Sequence, residues 1–553
     1  MIIVIFAITK LAKEPAMKKF FVFITVLAIV AGCNTQKTKK EKVLDFGPYV
    51  LQPVELKADM SGLDSSEKKV IALLSKAATY ADSMFLYESA GKYASVYKYI
   101  NDTLTKVRFK INFGPWDRFL DDVSFIDTIN DKPLGANFYP ADIMKSEFLR
   151  FKDLSKMSNY TFIRRNSQGK LYCVPYHVQF ARWNDSVAVL LREAAQCSGD
   201  SAFSQYLLSR IEALKTDDYY KSDSMWLGLD SKIDFIFGPV EISEDRLFNL
   251  KAEHKALVLV KDTLWSQRMK LFSDLLVYLQ KTLPVPEEYK RDEPGKASEI
   301  VVYDVVKYGG GAYAGQPDIS GVYPFYHDFQ VKYGVKNIQL KNALQAKFSA
   351  TVQPIAHEIM VASQRKYVSD TAFFIITMMF DMANTLGPRY TVDKHMPVRK
   401  AMKDRFVVMD YMKSAVLSLF LIEQLYSLDY QQGEGKLIPG ELKDYYYTFV
   451  VDMLRQIRWG TSNDYSLAYL VIYNYLSKNG VFSYIPSGQI IVHFEKLREV
   501  LGQLSSKILI IMGDGDYVEA SKFIVQNSLV SPELENMINL MNDKKIPLDI
   551  TVK

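Results

Sequence analysis

The sequence predicts an α+β protein of two lobes with a cleft between them. A mixed α/β N-terminal lobe is expected over residues 55–336 and a mainly helical C-terminal lobe over 337–553. Three observations predict this. First, a chain of 553 residues, 48% of them hydrophobic, can bury more than one core. Second, β-branched runs and helical patterns are mixed up to about residue 336, whereas from about Asn337 the apolar spacing is mainly helical to the end. Third, loops dense in Gly and Pro punctuate the first half, the kind of ordered connection on which binding residues sit.

The composition narrows the partners. Charged residues make up 24% and the net charge of +5 is spread along the chain, with no basic run beyond Lys37 to Lys42. That argues against nucleic acid. Aromatic residues reach 13%, with 35 tyrosines, enough for a tyrosine-rich core or for surfaces that stack on sugars or peptides.

At the N-terminus, Met17-Lys18-Lys19 precedes the short apolar run Phe20 to Val30, which ends in Val30-Ala31-Gly32-Cys33. A basic start, a short apolar stretch and small residues before the break describe a signal peptide over 17–33. The small-small-Cys ending resembles a bacterial lipoprotein signal, with Cys33 as the lipidated first residue of the mature chain. Residues 1–16 precede this better start and are expected to be a mis-assigned upstream extension. A tether is expected over 34–54, opening on the polar, lysine-rich Asn34 to Lys42. The expected address is the bacterial cell envelope, periplasmic or surface-facing, with the body held to a membrane by lipid alone. The later apolar run Ala415 to Tyr426 is too short to span and is interrupted by Glu423. Cys173 and Cys197 could pair in an oxidising compartment, and spacing does not decide it.

Along the body, Ser65 to Tyr87 carries helical periodicity through Val70, Leu73, Leu74, Ala77 and Ala78. Loops follow at Gly114-Pro115-Trp116-Asp117-Arg118 and at Pro133 to Asp142. Tyr160 to Tyr176, with a turn at Gln168-Gly169, reads as a hairpin. Residues 181–215 and 245–282 read as helical. A β-rich piece follows over Ile300 to Val306, then the glycine-rich Gly309 to Gly315. The latter lacks the Lys-Ser/Thr of a phosphate loop and reads as a turn or strand edge facing the cleft. No internal repeat is present.

One late helix carries the chemistry. Ser369-Asp370-Thr371 caps an apolar run that Gly387-Pro388 ends. On it Phe380 and Asn384 lie four apart on one face, with Asp381 beside them. A zinc peptidase places two histidines and a glutamate on such a face, because the metal takes imidazole nitrogens and its water needs a base.

Five segments in register resemble the dipeptidyl peptidase III family of zinc metallopeptidases, particularly its shorter bacterial members. They are Gly114 to Arg118, Gly135-Ala136-Asn137-Phe138-Tyr139-Pro140, Gly238-Pro239-Val240-Glu241 through Ala252, Leu340-Lys341-Asn342 to Phe348, and Ile546-Pro547-Leu548-Asp549-Ile550. The resemblance implies a two-lobed peptidase whose cleft binds an extended peptide. Its metal helix, His-Glu-x-Ser-His-Gly-Leu-Gly-Pro, ends as Leu386-Gly387-Pro388 does here. Its two histidines fall on Phe380 and Asn384, and its glutamate base on Asp381. The family's second helix, which carries the third ligand, aligns on Asp410 to Leu419, with the ligand glutamate on Tyr411. A later Arg-Phe-Gly and Glu-Ala-His-Gly become Arg458-Trp459-Gly460 and Asn463-Asp464-Tyr465-Ser466. Phenylalanine cannot ligate zinc, asparagine is a poor ligand and tyrosine a rare one. The expected catalytic set is therefore none, with Asp381 a degenerate base. The expected metal set is none, with degenerate ligand positions at Phe380, Asn384 and Tyr411, and no cofactor is expected where the family holds zinc. Glu241 is the one binding residue the resemblance carries over, an acid suited to a substrate's amino terminus; the family's tyrosine two positions on is Ser243 here.

Other motifs read as structure. His357-Glu358 has no second histidine at helical spacing, and no nucleophile elbow or Cys–His pairing is present. The expected function is a non-catalytic pseudo-peptidase that binds a peptide or other ligand in its cleft. Two readings stand beside it. An active hydrolase would use a non-standard metal site around Asp381, Asp410 and His395, and would show an open acidic pocket. A scaffold would show Phe380 and Tyr411 packed where zinc would be.

Overall fold

The computed structural model describes residues 43–292, 299–393, 395–432 and 437–553. The upstream segment, signal peptide, Cys33 and residues 34–42 of the tether lie outside these residues. The tether expected over 34–54 meets folded structure inside its own span. Strands β1 (Leu44–Asp45) and β2 (Val50–Val54) form a three-stranded sheet with β8 (Asp549–Val552), the last strand of the chain. β2 runs parallel to β8, with Leu51 opposite Asp549. The reason is burial: Leu51 is fully buried and sits in a small core with Tyr49, Ile111 and Leu548.

Helix α1 (Ser65–Ala90) starts at Asp64, whose carboxylate accepts the Glu67 N–H while Glu67 accepts from Asp64, both at 2.8 Å. Its stripe of Val70, Leu74, Ala77, Ala78, Ala81 and Met84 is buried against the mixed sheet. α2 (Thr103–Asn112) follows, capped by Asp102. The hairpin Thr161–Arg165 with Leu171–Pro175 forms as expected, turning at Gly169 with φ +79°.

The sheet beneath α1 has the order β6-β7-β5-β4-β3. Its strands are β3 (Ile233–Glu241), β4 (Glu253–Lys261), β5 (Glu299–Gly310), β6 (Ser320–Tyr323) and β7 (Lys336–Leu340). All neighbours are antiparallel except β5 and β7. Here the helix expected over 245–282 needs correction, because its first half is strand β4. A strand buried on both faces, as Ala256 to Val260 is, loses the polar-apolar alternation that identifies strands. The preceding turn is built on Asp245, whose carboxylate accepts from the N–H groups of Leu247, Phe248, Leu250 and Lys251. The glycines also have a different role from a cleft edge. A Cβ on Gly309 would stand 2.3 Å from Ala78 O, and one on Gly310 2.4 Å from His254 O, so these residues let α1 lie directly on the sheet.

The second core is helical, around α4 (Asp370–Asn384), α5 (Phe406–Gln432), α6 (Leu442–Ile457), α7 (Asp464–Lys478) and α8 (Phe494–Asp514). The lobes do not divide cleanly at residue 336. Helix α3 (Thr263–Asp274) and the segment after it place Met269, Phe272, Leu276 and Leu279 in the helical core before the chain returns to β5. Among the described residues no helix is long and apolar enough to cross a membrane. The run Ala415 to Leu425 is instead buried mid-length in α5.

Candidate functional site

Helix α4 is buried on most sides, with Phe373, Phe374, Ile375, Ile376, Met378, Met379 and Met382 in the core. It starts at Ser369 and ends before Gly387, whose φ of +91° and 3.0 Å hydrogen bond to Gln280 turn the chain away. Its last turn faces α5 and α7. There the rings of Phe380, Tyr411 and Tyr465 pack on one another. Centroids lie 6.4 Å apart for Phe380–Tyr411, 5.5 Å for Phe380–Tyr465 and 5.0 Å for Tyr411–Tyr465, the last two edge to face. Tyr469 extends the cluster, 5.1 Å from Tyr465.

The polar positions point elsewhere. Asp381 accepts hydrogen bonds from Gln339 Nε2 at 2.6 Å and Asn337 Nδ2 at 3.3 Å, both on β7, and burial raises its pKa. Asn384 is exposed and donates to Asp410 Oδ2 at 2.9 Å; Lys413 closes the group, 2.8 Å from Asp410 and 3.0 Å from Asn384 O. His395 sits on an exposed turn closed by its backbone N–H on Thr391 O, and its ring bonds none of Asp381, Asn384 or Asp410. Among the described residues, no three His, Cys, Asp or Glu side chains gather where a metal ion could be held.

Next to the ring cluster a cavity of about 560 Å³ opens between the lobes. Arg118, Phe119 and Ile319 line one side; Lys347, Trp459 and Tyr465 line the other. Phe119 and Trp459 stack across it at 5.6 Å. Its cations are matched within the protein: Arg118 with Glu244 at 2.8 Å, Lys347 with Asp549 at 3.0 Å and Arg455 with Asp452 at 2.8 Å. At the margin, the buried Lys255 ammonium bridges Glu241 at 2.5 Å and Asp318 at 3.0 Å. Burial works against that charge, but Asp318 and Glu241 outweigh it and hold the Lys255 pKa well above its usual value. Glu241 thus already holds an ammonium of the protein's own. Ser243 turns away to donate its hydroxyl to Glu253 at 2.6 Å.

This architecture is shared with solved structures. That of DPP III from Caldithrix abyssi superposes with a TM-score of 0.84 at 31% identity, covering 91% of this chain and 97% of that one. The chain belongs to the dipeptidyl peptidase III family. A second dipeptidyl-peptidase III, from Corallococcus sp. strain EGB, matches with a TM-score of 0.73 at 26% identity over 91% of this chain and 95% of that one. A curated protein named Nudix hydrolase 3 from Arabidopsis thaliana is 25% identical over 565 aligned positions, covering 90% of this chain and 72% of its own length. No family model matches.

The zinc that the dipeptidyl peptidase III resemblance implies does not fit the residues present. Phe380 offers ring carbon, Asn384 an amide already bonded to Asp410, and Tyr411 a phenol. A phenol ligates as phenolate, and burial, then Asp464 and Asp410, raises the Tyr411 pKa, which opposes that form. Sequence reasoning did not single out Tyr465 or Trp459 as site residues. The signal was present, since Tyr465 stands where the family's later segment has histidine.

The remaining candidates are structural. His357 and Glu358 form a surface pair at 3.0 Å. Cys173 and Cys197 are both free; the first lies by Asp153 and Ser155, the second by Lys69.

Proposed function

We propose that this protein is a dipeptidyl peptidase III relative that binds an extended peptide in its inter-lobe cleft without hydrolysing it. The observation that carries the reading is the cavity of about 560 Å³ that stays open between the lobes, beside the aligned metal-helix positions. Shape and stacking surface survive; the Lewis acid and its water do not have a place. The Cys33 pattern supports an envelope address, with the body tethered by lipid, and Cys33→Ser is expected to release the protein into the soluble fraction.

The test is elemental analysis of the purified protein after zinc exposure, followed by affinity selection from a synthetic tetrapeptide library. Zinc near zero, with retained peptides that are lost on Trp459→Ala, is the expected result. Stoichiometric metal abolished by Asp381→Ala or Asp410→Ala would overturn the reading in favour of an active metallopeptidase. The packing of Phe380 on Tyr411, with the Phe119–Trp459 stack across the cleft, favours a second reading, a scaffold whose cleft is filled by its own aromatics. Retention of no peptide at all would select it.

A further inference from the structure

A second cavity, of about 630 Å³, lies away from the inter-lobe cleft and shares no lining residue with it. It opens to solvent and is bounded by α1, the turn after it, α2 and the terminal sheet. Leu44, Leu86, Val107, Phe109, Phe113 and Val552 make its wall mainly apolar. Its size falls in the range of about 300–1,000 Å³ that takes small organic ligands, and an apolar wall with few polar groups is the usual build of such sites.

One acid breaks the wall. Asp82, half-buried on α1, spends Oδ1 on two donors, the Gly310 N–H at 2.7 Å and the Tyr313 hydroxyl at 3.0 Å. No donor among the described residues reaches Oδ2, and Asp82 lines the cavity. Burial raises its pKa, outweighing the Gly310 and Tyr313 hydrogen bonds and the Lys307 charge, which lower it. The lysines that line the same cavity, Lys110 and Lys553, have exposed side chains, and the Lys110 ammonium rests over the Tyr97 ring at 5.7 Å. Tyr97 and Tyr313 also line it.

We propose that this cavity is a binding site for a small amphiphile with an aromatic or aliphatic body and a protonated amine, the amine seated on Asp82 Oδ2. The body replaces water against the apolar wall, and the ammonium supplies the donor that the carboxylate lacks. This is independent of the cleft and of the fate of the zinc.

The test is calorimetric titration of the purified protein with three compounds that share one body: 4-phenylbutylamine, 4-phenylbutanol and 4-phenylbutanoate. The amine is expected to bind at least tenfold more tightly than the alcohol, and the carboxylate most weakly. Asp82→Asn keeps the Oδ1 acceptor and the shape; it is expected to bring the amine down to the affinity of the alcohol and leave the alcohol unchanged. Val107→Trp is expected to fill the cavity and abolish binding of all three, with an unaltered circular dichroism spectrum as the check on folding. Saturable binding of none of the three, amine binding indifferent to Asp82→Asn, or preference for the carboxylate would each overturn the proposal.

Discussion

If aromatic rings have replaced metal ligands, putting the ligands back should exchange one source of cohesion for the other. The perturbation is the triple variant Phe380→His, Asn384→His, Tyr411→Glu. The Phe380 and Tyr411 centroids are 6.4 Å apart. Half of that, about 3 Å, is the reach a zinc needs from an imidazole centre when the Zn–N bond is about 2 Å. The substitution removes all three ring pairs of the cluster, each worth about 0.5–1.5 kcal/mol. It also removes roughly half the burial of two large side chains, about 1–1.5 kcal/mol each. The metal-free variant should therefore lose roughly 4–7 kcal/mol, a large share of the about 5–15 kcal/mol that holds a domain folded. Zinc at a thousand times its Kd should return about 4 kcal/mol. The assay is chemical denaturation with and without zinc, alongside metal analysis. Zinc should leave the natural protein unmoved and restore most of the variant's loss. One zinc per natural chain, or a variant that zinc does not stabilise, would refute the reasoning.

Three further outcomes follow from the same structure. Burial pushes the Glu253 pKa from 4.5 up to about 8, Lys255 opposing and Glu241 adding. Its stabilising contribution is complete below pH 4.5 and is lost as pH rises towards 8. The slope is about 1.4 kcal/mol per unit, roughly 4 kcal/mol between pH 5 and 8, and Glu253→Gln should remove it from a denaturation series. Lys255→Met leaves Glu241 and Asp318 without their shared cation and should cost about 3–5 kcal/mol by urea denaturation, whereas a surface lysine such as Lys270 should cost under about 1 kcal/mol. Gly310→Ala combines a φ of +60° with a Cβ 2.4 Å from His254 O and should cost about 2–6 kcal/mol in the same assay.

How much of this was legible depends on the range of the interaction. The expectation of lost ligands rests on residue type at Phe380, Asn384 and Tyr411, and needs no coordinates. The helical periodicity of α1, the capped ends of α4 and the hairpin at Gly169 are local chemistry and read correctly. What fills the ligand positions is not local: Phe380 meets Tyr465 across 85 residues of chain only because α4, α5 and α7 dock together. The Glu241–Lys255–Asp318 bridge likewise needs the β3–β4 pairing and a loop before β6 to converge. Strand β4 was misread because both its faces are buried, and β2 because its partner strand is the last in the chain.

The manner of the loss bears on what selection kept. A single ligand change would have left the other two, two imidazoles or an imidazole and a carboxylate, facing one another half-buried with no cation between them. That is a costly arrangement, since buried polar groups without partners destabilise by about 1–3 kcal/mol each. Here no such remnant exists. The ligand positions that face inwards have become rings that pack, and the one that faces solvent, Asn384, has joined a hydrogen-bonded surface group with Asp410 and Lys413. This corner is packed and hydrogen-bonded by its own side chains. The same holds at the cleft margin, where Lys255 satisfies two acids from within. The cavity between them stays open. A protein kept only for its bulk would gain from closing that cavity, so its openness beside two internally satisfied sites supports the proposal that the cleft is occupied and not used for turnover.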